Sequence, residues 1–395
     1  MIGIRSVTYH LSKENESDQL NLVGILSRKW DNRFYEIRTQ RVCLPPFSEP
    51  VKSEQFAELA ALCDITSIRW FNIPIDPASS LHPNQLFDFA YDVLKKYSRA
   101  FVNVLAVKEK RINEDIIISS ADLIRKISNL DAAGKDNFRL GLSINVAPNG
   151  PFFPFTYSAG DTGFSIALEL TQEINQLLNQ NRSQSLAELK ERIIDHLCPQ
   201  IKSIEKIALE IQSEFGVPFF GFDFSLAPVI EENGSIVPIL NRLGVYDFGR
   251  TGTLFATGYL TDILKQFASQ FKSVGFSGVM YSLLEDFELC LINNSRGISI
   301  EQLIALSTMC GCGADMIPVP GCIRSDELRS IFLDVAAISC RLNKPLGFRL
   351  LPIPHCKRGE NAFTRFETDA DFIANTKIVA SKSNFIEKFG DSICY

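Results

Sequence analysis

The sequence predicts an α/β protein built on a mostly parallel sheet, and three observations support this prediction. Segments rich in β-branched and aromatic residues alternate with segments of helical periodicity at intervals of about 30 residues, as in consecutive βαβ units. The chain has 395 residues, of which 46% are hydrophobic and 22% charged, which suffices for a large core. No repeat, low-complexity tract or linker divides it. We therefore predict a single α/β body over residues 1–380, followed by a C-terminal tail at 381–395.

The first 146 residues carry the clearest alternation of strands and helices. Strands are predicted at residues 2–10, 34–44, 67–72, 100–107 and 138–146. Helices are predicted at residues 11–30, 51–63, 83–97 and 119–130. The second strand ends at Pro45 and Pro46, and Ser119 or Ser120 is a suitable N-cap for the last of these helices.

Residues 160–216 are predicted to form a helical excursion from the sheet. The preceding residues 149–160 are aromatic, rich in helix breakers and not periodic. Helices are predicted at 163–178 and 185–215, joined by a polar turn at 179–184. The second helix carries an apolar stripe with a period of about 3.6 residues. Pro199 lies inside that stripe and predicts a kink or a break.

The alternation resumes after residue 216. Strands are predicted at 219–226, 277–284, 316–319, 346–351 and 374–379, which brings the total to about ten strands. Helices are predicted at 235–243, 253–267, 299–309 and 326–342. The 307–321 segment combines two cysteines, several glycines and two prolines with apolar residues, so we predict a structured internal loop there.

Charge and cysteine usage restrict the partners. A formal net charge of −6 argues against nucleic acid or an anionic membrane as the main partner, since both select clustered Lys and Arg.

The ten cysteines are mostly isolated within apolar runs, and neither a signal-peptide pattern nor a transmembrane run is present, so a cytoplasmic protein is predicted. The four histidines lack metal-ligand spacing; no zinc site is predicted and the cofactor is unknown. A homodimer is expected because symmetric dimers are common.

Asp223 and Ser225 lie on the same face of the strand predicted at 219–226, because side chains alternate along a strand. They come just before Pro228, at the carboxyl end of the strand, where ligands bind in parallel α/β sheets. The alternative is that Asp223 caps a neighbouring element and that Ser225 bonds to the backbone.

A glycine-bearing turn at 244–253 leads into a helix. Backbone N–H groups at that helix N-terminus, together with Arg250 and Thr251, would suit a carboxylate or a phosphate. The Walker and Rossmann glycine spacings are absent. The alternative is a helix capped by Thr251 or Thr253, without a ligand.

Two adjacent carboxylates, Glu285 and Asp286, follow the strand predicted at 277–284. Carboxylates that repel one another raise one of the two pKa values, which makes a usable base. The alternative is that the pair caps a helix or faces water.

Cys310 and Cys312 are spaced as Cys-x-Cys, which is not the redox spacing Cys-x-x-Cys. Cys310 follows the C-terminus of the helix predicted at 299–309, where the negative end of the helix dipole disfavours a thiolate. A nucleophilic Cys310 therefore needs a cationic partner such as Arg349 or Arg250. Asp315 either binds substrate or holds the loop's own backbone. Arg349 lies within an apolar strand and therefore needs an acid or an anionic ligand.

Several motifs in order resemble the domain of unknown function 711 family, also called UPF0210. They are the runs at 4–8, 152–157, 221–228, 252–254, 275–278, 284–286, 310–316, 320–321 and 349–354. The resemblance extends from about residue 2 to residue 380 and adds Tyr157 to the substrate-binding candidates.

The resemblance implies a fold similar to that of pyruvate formate-lyase and the other glycyl-radical enzymes. That fold is a ten-stranded α/β barrel entered by a cysteine loop, for which the Cys310 loop is the counterpart. The glycyl-radical motif, an Arg-Val-x-Gly-Tyr type of run, is missing from the sequence, so the resemblance implies no radical mechanism.

These residues suggest an enzyme that acts on a small carboxylate- or carbonyl-containing metabolite, by lyase or isomerase chemistry without a radical. In this interpretation Arg349 and Arg250 hold the anion, Asp223 or the Glu285–Asp286 pair moves a proton, and Cys310 is nucleophile or acid. A metabolite-binding regulator and a purely structural polar network are the two alternatives.

Overall fold

The computed structural model describes residues 2–12, 16–32, 35–179, 185–363, 373–379 and 392–395. Residues 180–184 of the predicted turn and 381–391 of the predicted tail lie outside these ranges. The strands of the described residues are β1 (Gly3–His10), β2 (Ile37–Cys43), β3 (Ile68–Ile75), β4 (Ala100–Lys108), β5 (Arg111–Asn113), β6 (Leu140–Ile144), β7 (Gly163–Glu169), β8 (Phe219–Asp223), β9 (Gly313–Pro320), β10 (Leu346–Ile353) and β11 (Ser392–Cys394).

Helices connect most of these strands. The α-helices of the described residues are α1 (Glu16–Asp31), α2 (Ala57–Ile65), α3 (Pro83–Lys96), α4 (Glu114–Ile127), α5 (Leu170–Asn179), α6 (Leu186–Phe215), α7 (Val237–Arg242), α8 (Thr253–Gln270), α9 (Phe287–Arg296), α10 (Ile300–Leu306) and α11 (Ser325–Leu342). Short 3-10 turns lie at Ser53–Phe56, Pro77–Ser79, Lys135–Arg139 and Leu283–Glu285.

All eleven strands belong to one mostly parallel sheet, which confirms the α/β prediction. Its main path runs β8-β7-β1-β2-β3-β4-β6-β10-β9; β5 pairs with β4, and β11 pairs antiparallel with β5. The β1–β2, β2–β3, β3–β4, β4–β6, β7–β8 and β9–β10 pairs are parallel. The β1–β7 and β6–β10 pairs are antiparallel. The parallel pairs follow from the helical connections, as expected for βαβ units.

The 272–281 segment bonds to both ends of this path. On the β8 side, Phe222 N–H donates to Lys272 O at 2.8 Å, and Met280 N–H donates to Leu226 O at 2.9 Å. On the β9 side, Gly311 N–H donates to Val279 O at 2.6 Å. The backbones are so close there that a Cβ on Gly278 would lie 2.8 Å from Gly311 Cα. The segment therefore lies between β8 and the chain that enters β9.

The aromatic 149–160 segment runs along one face of the sheet. Pro151 O accepts hydrogen bonds from Ser6 Oγ and Thr8 Oγ1 of β1 at 3.2 and 3.1 Å. Thr156 O accepts from Asn72 of β3 at 2.8 Å and from Asn103 of β4 at 2.9 Å. Because one short segment contacts β1, β3 and β4, the sheet curves around it.

Glycines on the remaining strands make this close approach feasible. A Cβ on Gly141 of β6 would lie 2.3 Å from Pro154 Cγ, and a Cβ on Gly347 of β10 would lie 2.8 Å from the Phe155 ring. A side chain at either position would displace the segment.

Strand β7 occupies the first part of the helix predicted at 163–178. The prediction of a helix at 163–178 is wrong up to Glu169, because Gly163–Glu169 forms β7 and α5 begins only at Leu170. All seven residues of β7 are buried, so the strand has no exposed polar face to reveal a period of two. The excursion at 160–216 is helical only in α5 and α6.

Three other predicted details differ from the structure. The helix predicted from Ser119 or Ser120 begins at Glu114, because Asn113 Oδ1 accepts from Ile116 N–H and caps it. Of the kink or break predicted at Pro199, the break does not occur, since helix α6 continues through this residue along a buried stripe. The strands predicted at 277–284 and 374–379 are single bridges within the described residues.

His10 gives the fold a pH dependence with a defined sign. It is fully buried on β1, its Nε2 lies 2.9 Å from Ser165 Oγ, and burial lowers its pKa from 6.5 to about 3. Below pH 6.5 the unfolded chain takes up a proton that the folded chain refuses, so stability falls as the pH falls towards 3. We expect wild type to lose about 1.4 kcal/mol per pH unit relative to His10→Asn. Urea unfolding between pH 4.5 and 7.5 measures this difference, and parallel curves for the two proteins would contradict it.

Candidate functional site

A small cavity lies between the sheet and the 149–160 segment. Its free volume is about 30 Å³. That is enough for about two or three water-sized groups. Half of the lining residues are aromatic, and the others supply three guanidinium groups, two carboxylates, one thiol and one thioether. The lining residues are Arg5, Arg41, Trp70, Phe101, Phe138, Phe152, Phe153, Phe155, Phe276, Met280, Glu285, Cys312, Asp315 and Arg349.

Arg349 of β10 is paired on every side of its guanidinium. Its Nε and Nη2 donate to the two carboxylate oxygens of Asp315 on β9 at 2.6 and 2.9 Å. Its Nη1 donates to Phe138 O at 3.0 Å, and its Nη2 also lies 3.4 Å from Glu285 Oε1. Although burial opposes the charge, Asp315 and Glu285 raise the pKa of Arg349. The acid that Arg349 needs is therefore Asp315.

Glu285 lies between two cations at the edge of the cavity. Its Oε1 is 3.4 Å from Arg349, and its Oε2 is 3.9 Å from Arg5 Nη2. Burial raises the pKa of Glu285, the charge of Arg349 opposes that shift, and Asp315 adds to it. A hydrogen bond from Ser282 also lowers its pKa. Both arginine contacts of Glu285 are long, so it is paired less closely with arginine than Asp315 is.

Arg5 links the cavity to a network near the protein surface. Its Nη1 donates to Pro228 O at 3.0 Å and lies 3.5 Å from Glu169 Oε1. Glu169 Oε1 also accepts from Arg38 Nε at 2.9 Å. Glu169 and Glu285 together balance much of the charge on Arg5.

Arg41 of β2 is different, because no carboxylate of the described residues lies within ion-pair distance of it. Its Nε donates to Thr39 Oγ1 at 2.9 Å, and its Nη1 reaches Pro151 O at 3.4 Å. Nη2 makes no hydrogen bond within the same ranges of the chain. The guanidinium lies 5.2 Å from the Trp70 ring centroid and 5.3 Å from that of Phe153.

The charge on Arg41 is therefore costly. Only 5% of the residue is exposed. Burial lowers its pKa to about 9, the positive charges of Arg5, Arg69 and Arg349 act in the same direction, and the negative charge of Glu285 opposes them. A guanidinium remains protonated at neutral pH, so a buried positive charge persists here without a carboxylate of the described residues in ion-pair contact.

Cys312 lines the cavity, whereas Cys310 lies behind it. Both thiols are buried, and Tyr281 N–H donates to Cys312 Sγ at 3.1 Å. The hydrogen bond from Cys312 lowers the pKa of Cys310 to about 6, and Lys344 adds to this effect. Lys344 Nζ also donates to Ser307 O at 2.8 Å, at the end of α10. The cation near Cys310 is thus Lys344 rather than Arg349 or Arg250.

Asp223 and Ser225 are brought together at the end of β8, outside the cavity. Asp223 Oδ1 accepts from Ser225 Oγ at 2.6 Å, Ser225 N at 2.8 Å and Ser277 N at 3.1 Å. Asp223 Oδ2 accepts from Phe276 N at 2.7 Å. Burial raises the pKa of Asp223, and these hydrogen bonds oppose the shift. Gly275 has a φ of +75°, and a Cβ there would lie 2.1 Å from Asp223 Oδ2.

Asp286 points away from Glu285 and joins two helices. Its side chain accepts from Leu289 N at 3.0 Å as the N-cap of α9, and from Ile236 N at 2.9 Å at the start of α7. The hydroxyl of Ser235 also donates to it. These contacts match the capping alternative raised for this residue.

Arg250, Thr251 and Tyr157 also lie outside the cavity. The Arg250 side chain is 69% exposed and lies 3.5 Å from Asp247. Thr251 is exposed beside it, at the start of α8. Tyr157 is half-buried, and its pKa is raised by burial. The cavity thus brings together Glu285, Asp315 and Arg349 from the predicted set.

Comparisons with known proteins identify the family. The family profile described as "Uncharacterised ACR (DUF711)" matches residues 5–366. The chain belongs to this family. It is 29% identical to a UPF0210 protein of Pyrobaculum aerophilum, covering 66% of this chain and 58% of that protein. A UPF0210 protein of Pyrobaculum islandicum is 26% identical, covering 82% and 75%, and one of Caldicellulosiruptor saccharolyticus is 27% identical, covering 86% and 79%.

The alignment covers 58% of the Pyrobaculum aerophilum relative, which is less than two thirds of its length.

Across the helices that the structure describes, none combines the length and the apolar character needed to cross a membrane. Nor do the described ranges contain a group of three or more His, Cys, Asp or Glu side chains that could hold a metal ion.

Sequence reasoning missed Arg5 and Arg41. Each lies in a predicted buried strand, so the argument applied to Arg349 applies equally to them. The signal was therefore present, as an arginine between apolar strand residues. What the sequence did not reveal is which of the three arginines has an acid partner.

Proposed function

We propose that this protein binds a small anionic metabolite in the cavity and acts on it as an enzyme without a glycyl radical, by lyase or isomerase chemistry. The observation that carries the proposal is Arg41, whose buried positive charge faces aromatic walls without a carboxylate partner among the described residues. A buried charge of this kind is stabilised by a bound ion of opposite sign.

Arg41 is suited to hold a carboxylate, because Nη2 is not engaged in hydrogen bonding to the described residues and a guanidinium forms directed bonds to carboxylate oxygens. Glu285 lies in the same cavity, where burial raises its pKa, and a carboxylate in such a position can accept and release a proton. Cys312 offers a sulfur to the same space. The roles first suggested for Arg349 and Cys310 pass, in this proposal, to Arg41 and Cys312.

We also propose that the curved sheet closes into an α/β barrel similar to that of pyruvate formate-lyase. The hydrogen bonds of the 272–281 segment to β8 and to the chain entering β9 support closure. The barrel interior would then hold the 149–160 segment and the cavity.

Arg41→Met tests the proposal directly. We expect wild type to bind acetate in calorimetric titration and Arg41→Met to bind it at least tenfold more weakly. The variant should lose no more than about 1 kcal/mol of stability, because the charge that it removes has no counter-ion in the described residues. Urea unfolding of the ligand-free proteins measures this difference in the free energy of unfolding.

Arg250→Met is the matched control, since it removes the exposed arginine of the other predicted anion site. Its acetate affinity should equal that of wild type. Loss of binding in Arg250→Met but not in Arg41→Met would move the anion site to the start of α8. Incorporation of deuterium from D2O into a bound carboxylate, abolished in Glu285→Gln, would support catalysis. Binding without any turnover would support a metabolite-binding regulator.

A further inference from the structure

The side chains that line the cavity carry one positive charge in excess. Arg5, Arg41 and Arg349 face two carboxylates, Glu285 and Asp315. Asp315 is fully engaged by Arg349 in a two-point ion pair at 2.6 and 2.9 Å. Arg5 is offset by Glu285 and by Glu169, which lies 3.5 Å from it and is not one of the lining residues. The excess resides on Arg41.

We propose that Glu285 sets the charge of the ligand, so that the site accepts a small monoanion and rejects a dianion. This inference rests on the proposed function, since it assumes that Arg41 binds an anion. One negative charge balances the excess on Arg41. A second would lie in a buried, aromatic space close to the carboxylate of Glu285, where like charges repel strongly.

The shape of the cavity supports the same ligand class. A free volume of about 30 Å³ leaves no room for a phosphate ester or a long dicarboxylate without rearrangement. The rings of Trp70 and Phe153 lie on the Arg41 guanidinium and form a flat, apolar surround. These rings carry no charge that could balance a second negative group. A planar monocarboxylate satisfies the guanidinium and leaves no other charge to solvate.

Glu285 can exert this control because its own position is not fixed by a strong pair. Its oxygens lie 3.4 Å from Arg349 and 3.9 Å from Arg5, both longer than the contacts of Asp315. Its negative charge is therefore less neutralised by short contacts than that of Asp315. Removing this charge leaves two excess positive charges in the cavity, which should admit a dianion.

Oxamate and oxalate test the proposal, because they are planar ions of nearly equal size that differ by one charge at pH 7.5. Each has six heavy atoms, so both need the same widening of the cavity and the comparison isolates the charge. For wild type we expect oxamate to bind at least tenfold more tightly than oxalate in calorimetric titration. In Glu285→Gln the ratio should shift by at least tenfold in favour of oxalate. Glu285→Asp retains the charge and should retain the preference of wild type. Glu214→Gln, a remote exposed change of the same charge, should leave the ratio unchanged.

Acetate, titrated in parallel, separates this inference from the proposed function. If acetate does not bind wild type, the anion site itself is disproved. If acetate binds and oxalate binds as tightly as oxamate, only the role of Glu285 is overturned. An unchanged ratio in Glu285→Gln would overturn it as well. If acetate binds but neither oxamate nor oxalate does, the site selects its ligand by size and not by charge, and the role of Glu285 is overturned.

Discussion

Arg349→Met is expected to lower the free energy of unfolding by about 3–5 kcal/mol, because it leaves a buried carboxylate without its partner. Asp315 is 4% exposed and loses both of its guanidinium contacts in this variant. The Phe138 carbonyl loses its donor at the same time. Urea unfolding monitored by circular dichroism measures the change.

Two further variants make this result specific to the ion pair. Arg349→Lys retains the charge but not the two-point geometry, so its loss should be smaller than that of Arg349→Met. Combining Arg349→Met with Asp315→Leu removes both charges and should recover part of the stability. A stability of Arg349→Met within 1 kcal/mol of wild type would show that Arg349 does not hold the fold together.

Asp223→Asn is expected to cost about 3 kcal/mol or more, since an amide cannot accept at both positions of the carboxylate. The carboxylate accepts four hydrogen bonds, three of them from backbone N–H groups of Ser225, Phe276 and Ser277. In the variant an NH2 group faces a buried N–H donor, and one acceptor is lost. The link between β8 and the 272–281 segment weakens accordingly. Thermal and urea unfolding report the loss.

Ser225→Ala is the matched control for Asp223. It removes the hydroxyl that donates to Asp223 at 2.6 Å and accepts from Gly278 N at 3.3 Å, but leaves the three backbone donors in place. Its cost should be about 1 kcal/mol. If Asp223→Asn retained wild-type stability and lost acetate binding, Asp223 would belong to the functional site instead.

Arg349 and Arg41 show how similar residues in similar strands take different roles. Each is an arginine in a buried strand beside aromatic rings, and each lines the same cavity. Arg349 lies opposite Asp315 in the parallel pair of β10 and β9. Arg41 has no acid opposite it, since its register partners on β1 and β3 are Thr8 and Trp70. Replacing the first with methionine should destabilise the protein, and replacing the second should mainly abolish binding.

The carboxylates divide in the same way. Asp223 and Asp286 were candidates because each lies at or just after the carboxyl end of a predicted strand. In the structure both carboxylates accept hydrogen bonds from backbone N–H groups. Glu285, next to Asp286 in the sequence, points into the cavity instead. Adjacent residues in a turn diverge in direction, so sequence position alone did not separate the helix cap from the site residue.

The sequence by itself determined the α/β class, most strand and helix positions, the need of Arg349 for an acid and the family resemblance. These follow from local periodicity, from the cost of burying a charge and from ordered motifs, all of which are readable along the chain. Only the tertiary structure decided that β7 is a strand, that the 149–160 segment lies against one face of the sheet and that Lys344 accompanies Cys310. It alone paired Arg349 with Asp315 and left Arg41 facing the cavity. The physical reason is that ion pairing and burial depend on which distant strands become neighbours and in what register, and no local pattern encodes that.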